Sequence, residues 1–155
     1  MFHNREDISV DRALLKDIID RYEAANFLVN RRLNAMIREL MPDDLTVDQF
    51  STCRYLRSRE RCTSSELADI FCVGKSSITA IITRLFDKNL IERLPDEKDR
   101  RVIYLALTQE GKQVCDRMED KIHVLLTKYI ERFPEQEAMK FIETFEKLAK
   151  EMMQP

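Results

Sequence analysis

The segment that decides the fold runs from residue 63 to residue 85 and reads TSSELADIFCVGKSSITAIITRL. It predicts two short helices joined by a turn at residues 72–74. A helix-turn-helix needs a small residue where its helices cross, and Ala68 stands at that point. The second helix has apolar anchors at helical spacing, which are Ile78, Ile81 and Leu85. The pattern therefore predicts a helix-turn-helix held to a core by these anchors.

The side of the second helix opposite the anchors carries small, polar or basic side chains that fit a DNA major groove. These residues are Lys75, Ser76, Ser77, Thr79, Ala80, Thr83 and Arg84. Arg84 lies a turn or more further along and is expected to contact phosphate. The N-terminal amides of the first helix, near Thr63 and Ser64, are predicted to bind another phosphate. Periodicity alone favours an ordinary helical hairpin with a solvated face, so the next segment is needed to decide between the two interpretations.

A β-hairpin with a charged tip is predicted directly after the helix-turn-helix. Residues 91–94 and 101–107 are β-branched, partly alternating runs on either side of the turn sequence at 95–99. This hairpin is the only sheet that the sequence predicts. Its basic residues are Lys98, Arg100 and Arg101. A basic ribbon in this position favours a wing that reaches into the adjacent minor groove, and hence a DNA-binding unit.

Helices are predicted on both sides of this unit. The first spans about residues 10–41 and ends at Pro42. A second is predicted from Thr46 to near Ser58, and Thr46 with Gln49 has the spacing of a capping box.

Capping residues also mark the remaining helices. Thr63 and Glu66 repeat the capping-box spacing at the third helix. Asn89 is expected to close the fourth helix, of about residues 75–88, in a left-handed conformation. Thr108 is predicted to cap a fifth helix of about residues 109–133, and a sixth follows from Glu135 to about Met152.

The composition fits a helix-rich globular chain and excludes several classes of protein. Of the 155 residues, 44% are hydrophobic and 35% charged, with only two glycines. No apolar run of 18 residues occurs and the N-terminus is charged, which predicts a cytoplasmic protein without a membrane partner. The net charge is −2, but residues 75–108 hold seven basic against five acidic residues. This weak positive footprint coincides with the helix-turn-helix and hairpin.

No catalytic, metal or cofactor site is predicted. The two histidines, His3 and His123, have no cluster of ligand-spaced partners. The carboxylates on the fifth helix alternate with basic residues, which is typical of a solvated face. Neither a glycine-rich phosphate loop nor a nucleophile with its base is visible, so the sequence does not predict an enzyme.

The four cysteines lack a CxxC pair and are expected to be free thiols. Cys53 and Cys72 are predicted to be buried and structural. Cys62 is predicted to be an exposed thiol whose pKa is lowered by neighbouring Arg61 and a helix N-terminus. It is the candidate for an alternative in which oxidation of a thiol regulates the protein.

Three motifs resemble the MarR-type regulators. They are LTVDQF at 45–50, SSELADIFCVGKSSITAIITRLFDKNLIERL at 64–94, and DRRVIYLALTQEG at 99–111. The resemblance implies a mainly α (α+β) fold, a winged helix-turn-helix flanked by long dimerisation helices. It also implies that Asp99 positions Arg101, which enters the minor groove. The chain departs from the family at Asn89, where glycine is usual, and Asn tolerates the same backbone conformation.

The resemblance also implies how the chain is organised and regulated. Residues 1–44 are expected to form an N-terminal dimerisation helix, 45–108 the DNA-binding domain, and 109–155 the C-terminal dimerisation helices. The expected partners are double-stranded DNA with a palindromic operator, a second copy of the chain, and a small aromatic or anionic effector that releases a repressor from DNA. Two alternatives remain open: a thiol-redox regulator, and a winged helix that binds proteins instead of DNA.

Overall fold

The computed structural model describes residues 11–154, which form six α-helices and a three-stranded sheet. His3 and the predicted helix start near residue 10 lie outside the described residues. The elements in chain order are α1 (Arg12–Leu40), α2 (Val47–Arg59), β1 (Arg61–Thr63), α3 (Ser64–Ile70), α4 (Lys75–Asp87), β2 (Ile91–Pro95), β3 (Ile103–Leu107), α5 (Gln109–Ile130) and α6 (Glu135–Met152). The chain divides into two compact units, one ending at Glu39 and one beginning at Leu40.

The first unit contains nearly all of helix α1. This helix has 29 residues, none of which is buried. Its large exposed apolar side chains are Leu14, Leu15, Ile18, Ile19, Tyr22, Phe27, Leu28 and Val29. An apolar stripe of this length requires a partner surface to remove it from water.

The second unit has a well-packed core around the helix-turn-helix. Leu67 of α3 and Leu85 of α4 are completely buried, and Ile78 is nearly so. Ala68 is buried at the crossing point, as the sequence predicts. Leu56 of α2 and Met118 of α5 are buried in the same core. Burial of these anchors leaves the opposite side of α4 in solvent.

The sheet is antiparallel with strand order β1-β3-β2. The sequence predicted β2 and β3 but not β1. Strands β2 and β3 form the expected hairpin, and β1 pairs with the other edge of β3, which makes β3 the central strand. β1 has only three residues, too few for an alternating pattern to be recognised. The register opposes Leu105 to Cys62 on one side and to Arg93 on the other. Directly opposed residues share a face of the sheet, so these three side chains lie on one face.

Two predicted capping boxes are confirmed. The Thr46 hydroxyl accepts from the Gln49 amide at 3.2 Å, and the Thr46 amide donates to Gln49 Oε1 at 3.4 Å. In the second box, Thr63 accepts from the Glu66 amide at 3.2 Å and donates its own amide to Glu66 Oε2 at 2.6 Å. These bonds satisfy backbone donors that the first helical turn leaves unpaired.

The junction between α4, the sheet and α5 is tightly packed. Asn89 has φ 56°, the predicted left-handed conformation, and its carbonyl accepts from the Thr108 hydroxyl at 2.7 Å. The same hydroxyl accepts from the Gly111 amide at 3.0 Å and caps α5. A Cβ on Gly111 would collide with the carbonyl oxygen of Leu90. The close approach of the two backbones therefore requires the glycine of the Leu-Thr-x-x-Gly sequence.

The last helix is exposed in the described chain. Helix α5 ends at Ile130, three residues before the predicted end, and α6 follows from Glu135. No residue of α6 is buried. Its large exposed apolar side chains are Met139, Phe141, Ile142, Phe145, Leu148 and Met152. The helix thus presents a continuous apolar stripe to solvent.

Candidate nucleic-acid interface

All seven predicted groove-facing residues of α4 are exposed in the structure, from Lys75 to Arg84. The hydroxyls of Thr79 and Thr83 donate to the carbonyls of Lys75 and Thr79, at 2.6 and 2.9 Å. Since each hydroxyl proton is used inside the helix, the outward lone pairs of these threonines are acceptors. They suit the amino groups that cytosine and adenine present in the major groove.

The N-terminus of α4 is suited to an anion. It has no acidic residue in its first turn, and Gly74 supplies no side-chain cap. Lys75 adds a positive charge at the same end. The amides of a helix N-terminus attract phosphate through their hydrogen-bonding capacity and the helix dipole.

The N-terminus of α3 is less suited to phosphate than the sequence predicted. Ser64 is exposed there, but the Glu66 carboxylate is bonded to the amide and hydroxyl of Thr63. These bonds, the backbone one first, lower the pKa of Glu66 below its ordinary value. A carboxylate thus already occupies the positive end of the helix, where it repels a phosphate.

The wing tip is built by two aspartates. Asp96 Oδ1 accepts from the amides of Lys98 and Asp99 at 2.8 and 2.9 Å, which fixes the turn and lowers the pKa of Asp96. Asp99 then accepts from Arg101 through Nε at 3.1 Å, Nη2 at 3.2 Å and the backbone amide at 3.0 Å. These bonds, led by those from the side chain, lower the pKa of Asp99. Asp99 therefore stays ionised and orients the guanidinium.

The basic residues of the wing tip are available to a partner. The Arg101 side chain is 91% exposed although it is paired with Asp99. Lys98 and Arg100 are exposed beside it. A cation that is oriented but not buried can enter a narrow, negative minor groove without first losing a packed environment.

The prediction for Cys62 is wrong. Its side chain is only 4% exposed because β1 turns it toward the core face of the sheet. Burial, reinforced by the nearby Glu66 charge, raises the pKa of the thiol to about 11, although Arg59 acts in the opposite direction. Cys62 is thus predominantly a neutral thiol at neutral pH and a poor candidate for redox sensing.

Cys53 and Cys72 were both predicted to be buried, and only one of these predictions is confirmed. Cys72 is exposed at φ 50° in the turn between α3 and α4, which corrects the expectation of a buried residue. Cys53 is buried as predicted and lies next to buried Cys115 of α5. Their hydrogen bond, more than desolvation, raises the pKa of Cys53 far above its ordinary range.

Arg93 on β2 is a basic residue of this surface that the sequence interpretation missed. Its guanidinium lies over the ring of Phe86 in the last turn of α4, 4.8 Å from the ring centroid. The pair connects the candidate recognition helix to the first wing strand. Alternation along β2 places Arg93 on the same face as Ile91, but only the strand register shows where that face points.

A groove of about 420 Å³ lies at the α2–α5 contact, away from the exposed face of α4. It is lined by Ser51, Arg54, Tyr55, Arg57, Ser58, Phe71 and Glu119. The rings of Tyr55 and Phe71 meet edge to face at 6.2 Å. Arg57 pairs with Asp116 at 2.7 Å, and Arg54 with Glu119 at 3.7 Å. Aromatic rings with guanidinium groups suit a flat, anionic molecule.

Residues 11–154 contain neither a metal site nor a membrane-spanning helix. No group of three or more His, Cys, Asp or Glu side chains is arranged to hold a metal ion there. Within the same residues, no helix has the length and apolar character needed to cross a membrane.

Comparison with known proteins identifies the family. Residues 45–103 match the model of the MarR family. The multiple antibiotic resistance protein MarR of Salmonella typhimurium is 30% identical over 107 residues, covering 66% of this chain and 74% of that protein. The transcriptional repressor MdtR of Bacillus subtilis is 30% identical over 114 residues, which is 74% of each chain.

A solved structure shares the fold. It is a cysteine variant of Escherichia coli MarR in complex with operator DNA. The TM-score is 0.67 at 24% identity, and the match covers 89% of this chain and 97% of that one. The chain belongs to the MarR family of DNA-binding transcriptional regulators, with the winged helix-turn-helix fold that its sequence predicts.

Proposed function

We propose that the chain is a repressor that binds a palindromic operator as a homodimer. The exposed face of α4 enters the major groove, and Arg101 of the wing enters the adjacent minor groove. The observation that carries this proposal is the Asp99–Arg101 pair, which holds a 91% exposed guanidinium on the same lobe as the exposed face of α4. The relative MdtR is named a repressor, and the Escherichia coli relative was crystallised with operator DNA.

The apolar stripes support the homodimer. Helix α6 has no buried residue, and Phe141 stacks on Phe145 with centroids 5.8 Å apart on its exposed side. The end of α5 adds Tyr129 and Ile130 to the exposed apolar surface. A second copy of the chain is the proposed cover, with residues 1–44 and 109–155 serving dimerisation and 45–108 binding DNA. A two-fold dimer then reads half-sites about 34–36 Å apart.

The proposed effector is a small aromatic or anionic molecule in the groove at the α2–α5 contact. Its ring would stack with Tyr55 and Phe71, and its charge would face Arg54 or Arg57. The anion would compete with Asp116 and Glu119, which pair with these arginines. Since those pairs join α2 to α5, their rearrangement would change how the DNA-binding lobe is held.

An electrophoretic shift on DNA from upstream of its own gene tests the proposal. Arg101→Ala is expected to weaken specific binding about tenfold or more, since it removes a minor-groove contact. Lys147→Ala removes the same charge from the polar side of α6 and should leave the shift unchanged. Absence of a specific shift with the unmodified protein would instead favour the protein-interaction alternative.

A second variant separates phosphate contacts from base contacts. Arg84→Ala is expected to weaken binding to specific and non-specific DNA by similar factors. It should reduce the slope of log K against log salt by about 0.9 for one lost phosphate contact. A loss confined to the operator sequence would show that Arg84 reads bases.

A further inference from the structure

We propose that Arg93 binds the phosphate backbone between the two grooves and that Phe86 positions it there. The inference rests on the proposed DNA-binding function and adds a contact outside the α4 face and the wing tip. It joins three observations: the strand register, the contact with Phe86, and an arginine charge that has no carboxylate partner in the part of the chain that the structure describes.

The register places Arg93 on the side of the sheet that faces α4. Arg93 opposes Leu105, and Leu105 opposes Cys62 on the other neighbouring strand. Leu105 and Cys62 are buried, so this is the core-facing side. Arg93 itself is exposed, since β2 carries it beyond the edge of the core. Its side chain therefore lies in the angle between the wing and the recognition helix.

The ring of Phe86 restricts where the guanidinium can go. At 4.8 Å from the centroid, Arg93 is within the range of a cation–π contact. Within residues 11–154, Arg93 makes no ion pair with a carboxylate, whereas Arg54, Arg57 and Arg101 each do. Stacking on a ring leaves the N–H groups at the edge of the guanidinium free for oxygen acceptors. The positive charge is thus held in place without being neutralised.

The geometry of DNA indicates that the ligand of Arg93 is a backbone phosphate. Adjacent major and minor grooves are separated by one sugar-phosphate strand. A protein that inserts a helix into the first groove and a wing into the second must place that strand against the angle between them. The residue in this angle is Arg93, and guanidinium groups bind phosphate oxygens through charged, often bidentate, hydrogen bonds.

The salt dependence of operator binding provides the test. Arg93→Ala is expected to lower affinity roughly tenfold and to reduce the salt slope by about 0.9. Arg61→Ala is the matched control, because Arg61 also lies over a ring, that of Tyr104 at 4.5 Å, in the same sheet. Arg61 opposes Ala106, so it lies on the other face of the sheet. Its removal should leave the slope unchanged. An equal reduction in both variants would overturn the proposal.

The positioning role of Phe86 is tested by a double-mutant cycle. Phe86→Leu should weaken operator binding, and the Phe86→Leu/Arg93→Ala double variant should bind no more weakly than Arg93→Ala alone. Additive losses would show that the two residues act separately. Arg93→Lys keeps the charge and should retain the salt slope with intermediate affinity.

Further results distinguish this inference from the proposed function. An Arg93→Ala variant that loses affinity with an unchanged salt slope would show a purely structural role and overturn the inference. Thermal unfolding of each variant identifies such a role directly. Failure of the unmodified protein to shift its operator would instead refute the proposed function.

Discussion

The DNA-binding lobe, which runs from α2 to the start of α5, differs from the flanking helices α1 and α6 in how it buries its apolar side chains. From α2 to the start of α5, each helix buries its apolar anchors, and Leu67 and Leu85 are completely covered. Neither α1 nor α6 buries a single residue in the described chain, although both carry long apolar stripes. The lobe therefore has its own core, while the flanking helices depend on a further surface. Stability of the lobe and assembly of the protein should respond to different substitutions.

The largest effect should follow from placing a charge in the α6 stripe. Phe145→Glu puts a carboxylate where Phe141 and Phe145 stack. A buried unpaired charge is strongly unfavourable, so the variant should be monomeric in light scattering. It should lose about a hundredfold or more in operator affinity because the half-sites no longer act together.

The lobe of this variant should stay intact. Its far-ultraviolet circular dichroism should remain strongly helical. Lys147→Glu adds the same charge on the polar side of α6 and should remain dimeric. A dimeric Phe145→Glu protein would show that α6 is not the assembly surface.

The two glycines of the chain provide a matched pair within the lobe. Gly111→Ala should lower the free energy of unfolding by about 2–3 kcal/mol, because its Cβ collides with the Leu90 backbone. Gly74→Ala meets nothing within 4 Å and has φ −67°, so it should change stability by less than about 1 kcal/mol. Urea denaturation measures both. Equal losses would contradict the tight junction.

A smaller effect is expected from the cap of α3. Thr63→Ala should cost about 1 kcal/mol at pH 7, measured by urea denaturation, since it removes the hydroxyl that caps the helix. Ser65→Ala, at an exposed position of the same turn, serves as the control.

The cost of Thr63→Ala should depend on pH. The pKa of Glu66 is lowered in the folded protein, first by the Thr63 backbone amide, which Thr63→Ala keeps, and second by the Thr63 hydroxyl, which it removes. The resulting stabilisation is present above the ordinary pKa of 4.5 and is lost as the pH falls through the lowered value. Because the substitution removes only the hydroxyl bond to this carboxylate, the corresponding part of its cost should disappear below about pH 4. A cost that does not change with pH would exclude this coupling.

The smallest effect, and a favourable one, is expected at Glu60. This residue has φ 64° and ψ −48° between α2 and β1, a conformation that is strained for any residue with a Cβ. Glu60→Gly should raise the unfolding free energy by about 0.5 kcal/mol after the entropy cost of glycine. Glu97→Gly, at a position without positive φ, should lower it. Thermal melting compares the two, and a loss at both positions would argue against strain at Glu60.

The sequence predicted the elements whose signals are local. Capping pairs such as Thr46 with Gln49 act within one turn, and the anchors of α4 follow a single helical period. Strand β1 escaped because pairing with β3, distant in sequence, makes these three residues a strand. The error at Cys62 has the same cause, since its burial depends on the sheet and its immediate neighbours suggested exposure. Arg93 was missed because the role proposed for it depends on the strand register and on the contact with Phe86.

The junction at Thr108 has a mechanical consequence. A single residue, Thr108, separates the end of β3 from the start of α5. Its hydroxyl donates to the Asn89 carbonyl, just before β2, and accepts from the Gly111 amide in α5. At 1.5 Å per residue, the 22 residues of α5 form a lever about 33 Å long. A tilt of about 5° at the Thr108 end displaces the far end of α5 by about 3 Å. Because only Thr108 connects β3 to α5, a small tilt at one end of α5 becomes a larger displacement at the other end.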